Sequence, residues 1–149
     1  FAAQLALAVE LDLPIVVHTR EADEDTRAIL AEYAPHLQRK GVIHSFTSGL
    51  PLAEFCLDAG FMLGFNGITT FNSADNVRAV VTATPLDQLV LETDGSLPHT
   101  RALPGRPNAP FYLPFIAERI AEVLEMPVET LLQAAYRNSL ALFFPATGE

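Results

Sequence analysis

Four short apolar runs, PIVVH (14–18), VIHSF (42–46), FMLGFNGI (61–68) and QLVLETD (88–94), are parted from one another by segments of helical periodicity. This alternation constrains the fold more than any other feature. The runs are too short for buried helices and rich in β-branched residues, so they predict strands. Their apolar character is nearly continuous, which predicts a parallel sheet covered on both faces, each crossover being a helix. Phe1, Leu5, Ala8 and Leu11 recur at helical spacing. EADEDTRAILAEYA (21–34) crowds acids into its first turn, and LPLAEFCLDAG (50–60) closes on Gly60. Ser73 is placed to cap a helix over 74–82. Two helices follow, over 111–125 and 128–143, separated by Met126-Pro127, while 95–110 is a Pro- and Gly-rich loop. The order predicts one α/β domain over 1–149.

Parallel strands bring their C-terminal ends to one edge of the sheet, so topology alone gathers residues that are distant in sequence. Three strands end on His18, His44 and Asp94. Two imidazoles and a carboxylate suit zinc, manganese or a related divalent ion. A strand-end His serves equally as a hydrogen-bonding residue, and an Asp as a cap. The third strand contributes Asn66 and Gly67, placed to line a pocket mouth. Glu92 shares a face with Asp94 and either orients a ligand or pairs with an Arg. Arg20 either holds a phosphate oxygen or is a solvated helix-start residue. His99, Arg101 and Arg106 fall in the long loop, as substrate contacts or as solvated side chains. His36, beside Pro35, reads as structural, Cys56 as core, and Phe111, Tyr112 and Phe115 as helix packing rather than base stacking.

The formal net charge of -9 argues against broad attraction to nucleic acid or an acidic membrane. It leaves open a phosphate substrate handled through a cation, which reverses the local field. The single cysteine excludes a disulfide framework and a Cys-based zinc site, and predicts a reducing compartment. No apolar run reaches membrane-spanning length. The chain opens on Phe1 in what reads as mid-element, which suggests an N-terminal truncation.

PIVVHTREADED resembles the PVIIHSRDA segment of TatD-like metal-dependent hydrolases. GVIHSFTSG is similar to their GVxHCFTG, GFMLGFNGITTF to GFYISFSGI, and LVLETDGS to LLLETDAP. GRPNAPFYLPFIAERIAE resembles their RNEP segment with its following helix, and YRNSLALF their closing ENAxRLF. No single motif is decisive; the ordered set is specific and covers essentially the whole chain. The resemblance implies a (β/α)8 TIM-type barrel, here its last four strands and their helices. It implies a phosphodiesterase site acting on nucleic acid, most simply a deoxyribonuclease, with two divalent ions (Mg, Mn or Zn). His18, His44 and Asp94 match the family's metal ligands, with Asp94 also catalytic; Arg20, Asn66 and Arg106 are the substrate-binding expectations. D-Aminoacyl-tRNA deacylation, or another C–N or ester cleavage, is the alternative, and an inactive fragment the third reading.

The departures matter as much. The family's HxH and GEIGLD motifs do not occur here, ETDAP has become Glu92-Thr93-Asp94-Gly95-Ser96, RNEP has lost its Glu, and Ser45 stands where Cys is common. Little or no activity is expected of the chain alone. Open sheet edges predict self-association.

Overall fold

The computed structural model of the chain describes residues 1–94 and 109–144. Helix α1 (Ala2–Leu11) leads into strand β1 (Ile15–His18), followed by α2 (Asp23–Tyr33), β2 (Gly41–His44), α3 (Leu50–Asp58), β3 (Met62–Phe65), α4 (Asp75–Ala83) and β4 (Leu89–Leu91). Helices α5 (Leu113–Val123) and α6 (Val128–Phe143) close the described chain. The strands form one sheet in the order β1-β2-β3-β4, every pair parallel. His18 stands directly opposite His44 in the β1–β2 register.

Alternation within the strands decides where the core sits. Val17, Ile43, Leu63, Phe65 and Leu89 enter the main cluster, with Leu5 of α1, Leu30 of α2, Cys56 of α3, Val80 of α4, Ile116 of α5 and Leu131 of α6. The opposite face carries a small separate cluster of Val42, Val90 and Leu142, with Met62 against it, and leaves Val16 59% exposed. Among the described residues, the helices thus supply the main cluster on one face, and Leu142 of α6 is the one helical residue in the cluster on the other, whereas the apolar runs predict helices over both faces. Sequential strand order with one crossover hand stacks the helices on a single side, as in a barrel wall.

Other boundaries shift for local reasons. The Phe1–Leu11 stripe is only half buried: Leu5 and Ala8 are inside, while Phe1 and Leu11 are 45% and 53% exposed. Ser73 does not cap α4; Ala74 is the N-cap and makes no side-chain cap bond. β3 stops at Phe65 because the Asn66 side chain accepts from the Ile68 N–H and turns the chain into a 3-10 turn, Gly67–Thr70. β4 ends at Leu91, so Asp94 lies past the strand. No described helix is long and apolar enough to cross a membrane.

Candidate metal centre

The β1 and β2 ends place two imidazoles edge to edge. His18 Nδ1 and His44 Nε2 lie 3.2 Å apart. Two nitrogens bound to one zinc at tetrahedral angles, each about 2.0–2.1 Å from it, stand roughly 3.3 Å apart, so the pair fits a shared cation. A hydrogen bond from one neutral ring to the other gives the same spacing.

The second nitrogen of His44 separates the two ring atoms by role. His44 Nδ1 meets Glu92 Oε1 at 3.1 Å, and the same oxygen accepts from the Ser45 N–H at 2.7 Å and the Asn66 amide at 3.4 Å. A carboxylate on Nδ1 fixes that nitrogen as the donor and leaves the Nε2 lone pair beside His18, the arrangement that metal-ligating imidazoles use. Burial pushes the Glu92 carboxyl above its ordinary range; the neighbouring His44 ring and the bond from the Ser45 N–H oppose this, and Asp94 adds to it.

Among the described residues, His44, Glu92 and Asp94 form the one group of three whose ligand atoms all lie within 4.8 Å of one another. The expected set and this cluster share His44 and Asp94. His18 joins through His44, and Glu92 enters as a further member. Its sequence position left two readings open, orienting a ligand or pairing with an Arg; its contacts among the described residues, to His44, Ser45 and Asn66, include no Arg.

Asn66 does not open onto a mouth. It is 3% exposed, its amide donates to Ser45 Oγ at 2.8 Å, and its oxygen is taken by Ile68 N–H. Arg20 is exposed and lines a cleft of about 620 Å³ between the β1–α2 and β2–α3 loops, with Glu21, Asp23, Glu24, Asp25 and Ser48. Its neighbours are thus mostly acidic. Arg106 lies outside the described residues, as do His99 and Arg101. His36 sits in the 3-10 turn leading into β2, at the far edge of the sheet. Tyr112 packs inside, whereas Phe111 and Phe115 are 67% and 41% exposed. Cys56 is fully buried, and burial together with Asp23 pushes its thiol up to about 12, so it is an inert core residue.

Sequence reasoning missed the roles of Ser45 and Gly64. Ser45 takes φ 50, a left-handed turn that a Ser rarely adopts and that no local motif announces. Gly64 is buried in β3, and a Cβ there would stand 2.6 Å from Glu92 Oε2. A glycine inside an apolar strand run was the available signal, since it marks close approach of another group.

The chain is similar to known proteins along most of its length. The family model described as "TatD related DNase" matches residues 1–144. The uncharacterized metal-dependent hydrolase YabD of Bacillus subtilis (strain 168) is 37% identical over 143 residues, covering 96% of this chain and 56% of that protein. The 3'-5' ssDNA/RNA exonuclease TatD of Erwinia amylovora is 37% identical over 148 residues, covering 96% and 57%. Among solved structures, YJJV, a TatD homolog from Escherichia coli K12, superposes with a TM-score of 0.86 at 32% identity, covering 94% of this chain and 53% of that one. The chain spans about half the length of the relatives it matches.

Proposed function

Because the chain belongs to the TatD-related DNase family, we propose that it contributes a divalent-metal site to a hydrolase that cleaves phosphodiester bonds of nucleic acid. The observation that carries this reading is the pair His18 Nδ1 and His44 Nε2, 3.2 Å apart, with the other His44 nitrogen held by Glu92 and with Asp94 alongside. His18 and His44 offer neutral nitrogens and Asp94 a carboxylate, a donor set that suits Zn, Mn or Mg in that order of softness. A bound divalent ion supplies Lewis-acid polarisation of a phosphoryl oxygen and lowers the pKa of water.

The remaining work falls to the protein. Glu92 keeps the proton on His44 Nδ1, so that Nε2 faces inward. Asp94 takes φ 42, beyond the ladder of β4, which carries its carboxylate to within 4.8 Å of the His44 and Glu92 ligand atoms. From there it serves as the acceptor for the proton of an attacking water. A cation at this edge also explains how a chain of net charge -9 meets a polyanion.

The test begins with metal. Isothermal titration of the chelator-stripped chain with zinc or manganese is expected to show binding that Ala at His18 or His44 abolishes. Single-stranded DNA and a D-aminoacyl ester are then offered in parallel. Metal-dependent release of nucleotides, reduced about 10²–10⁴-fold by Asp94→Asn, supports the reading. Cleavage of the ester alone assigns the site to the C–N or ester class instead, and hydrolysis that survives the chelator overturns the metal reading.

A further inference from the structure

Gly64 lies on β3 between the two residues that matter most at the site. A Cβ on it would meet Glu92 Oε2 at 2.6 Å, Glu92 Cδ at 3.2 Å and the His44 Cα at 3.4 Å. Gly64 is absent from the positive-φ residues, so its backbone would accept any L-residue. With the Glu92 carboxylate where it lies, a side chain here would force that carboxylate to shift. The Glu92 carboxylate fills the space that a side chain would occupy, and its other oxygen gathers the bonds from Ser45, His44 and Asn66.

We propose that Gly64 is a positioning residue: its bare Cα seats the Glu92 carboxylate, and that seat fixes His44 with Nδ1 protonated and the Nε2 lone pair turned toward His18. The purpose given to Nε2 rests on the metal reading above; the seating itself does not. Of the atoms that crowd the missing Cβ, the carboxylate end is the one free to swing away, while the His44 Cα belongs to the ladder. A methyl at 64 therefore expels the carboxylate, and its bonds to His44 and Ser45 break together.

The bland alternative is that Gly64 merely suits a tight sheet. A double-mutant cycle separates the two. Gly64→Ala is made alone and in a Glu92→Ala background, with Gly49→Ala as control, because a Cβ at Gly49 meets only Pro51 Cδ at an ordinary 3.5 Å. Nitrogen-15 shifts of the His44 ring are read on metal-free protein at about pH 8, above the ordinary imidazole range, and zinc affinity by chelator competition. The wild type and Gly49→Ala are expected to hold the Nδ1–H form. Gly64→Ala is expected to lose that preference and to weaken zinc binding roughly 10–100-fold, as loss of a ligand's outer partner does. In the Glu92→Ala background the same methyl is expected to change affinity by no more than about twofold.

A wild-type tautomer in Gly64→Ala, or an equal cost in both backgrounds, overturns the proposal. If Gly64→Ala unfolds only where Glu92 is present, the clash is with the carboxylate, as required; if it unfolds in both backgrounds, the proposal fails. A tautomer that follows Gly64 in a chain that binds no zinc leaves the seating intact and removes the metal reading instead.

Discussion

Glu92 pays a folding cost at the place where it is useful. Burial raises its pKa, so the folded chain holds the carboxyl proton more tightly than the unfolded chain does. Its stabilising contribution is therefore complete below the ordinary value of 4.5 and is lost as pH rises through the raised one. Gln has the same shape and no charge to desolvate. Glu92→Gln is expected to melt higher than wild type at pH 7 without metal. The two proteins are expected to melt together near pH 4, and the variant is expected to bind zinc more weakly. Calorimetry at the two pH values checks this; a lower melting point at pH 7 would show that the ionised carboxylate is a net stabiliser. Ser45 and Asp94 add strain at the same edge, with φ 50 and φ 42, each costing on the order of 1–3 kcal/mol. The candidate ligands His18 and His44 were legible in the sequence as residues, because each ends an apolar run. The left-handed turns were not, since nothing in HSF or TDG demands φ above zero until a carboxylate must be met across the sheet.

At the level of elements, the strands were read by position and misjudged in length. PIVVH and VIHSF carry enough β-branched residues to declare themselves, but a strand end is set by what pulls the chain away. For β3 that is the Asn66 turn, and for β4 the departure of Thr93 and Asp94 from the ladder. The tie between α6 and β4 was hidden for another reason. Asn138 is a poor helix former amid helix formers and reads as a surface residue, yet it is 8% exposed and donates at 2.8 Å to both Leu86 O and Leu89 O. Both carbonyls lie at the start of the strand that leads to Glu92. Asn138→Ala leaves them unsatisfied, with an expected loss of roughly 1–3 kcal/mol. Ser139→Ala, whose hydroxyl only returns to Ala135 O within the helix, is expected to change stability by less than about 0.5 kcal/mol. Urea unfolding of the two variants side by side is the measurement, and equal midpoints would mean that the Asn138 bonds contribute nothing.

The whole molecule presents an apolar surface around α1 and β1. Helix α1 is apolar on more than one side, so that burying Leu5 and Ala8 leaves Leu7 and Leu11 each 53% exposed. Leu13 and Val16 continue that surface at 48% and 59%, and a groove of about 310 Å³ runs between helix and strand from Phe1 to Val17. Among the described residues β1 pairs only with β2, so its other edge offers unpaired backbone groups next to this groove. Exposed apolar area beside an open edge favours pairing with a second chain, whereas a net charge of -9 opposes the approach of two copies. Salt decides between them, because it screens the repulsion within a Debye length of about 10 Å at 0.1 M and leaves the apolar attraction in place. The chain is thus expected to sediment increasingly as dimers and larger species as salt is raised from about 0.02 to 0.5 M. A Leu7→Glu and Val16→Lys double variant is expected to stay monomeric across that range, since it charges both the helix face and the strand edge. Sedimentation velocity at several concentrations reads both. A wild-type chain that remains a monomer at high salt would mean that this surface is too small, or too well hydrated, to hold a second copy.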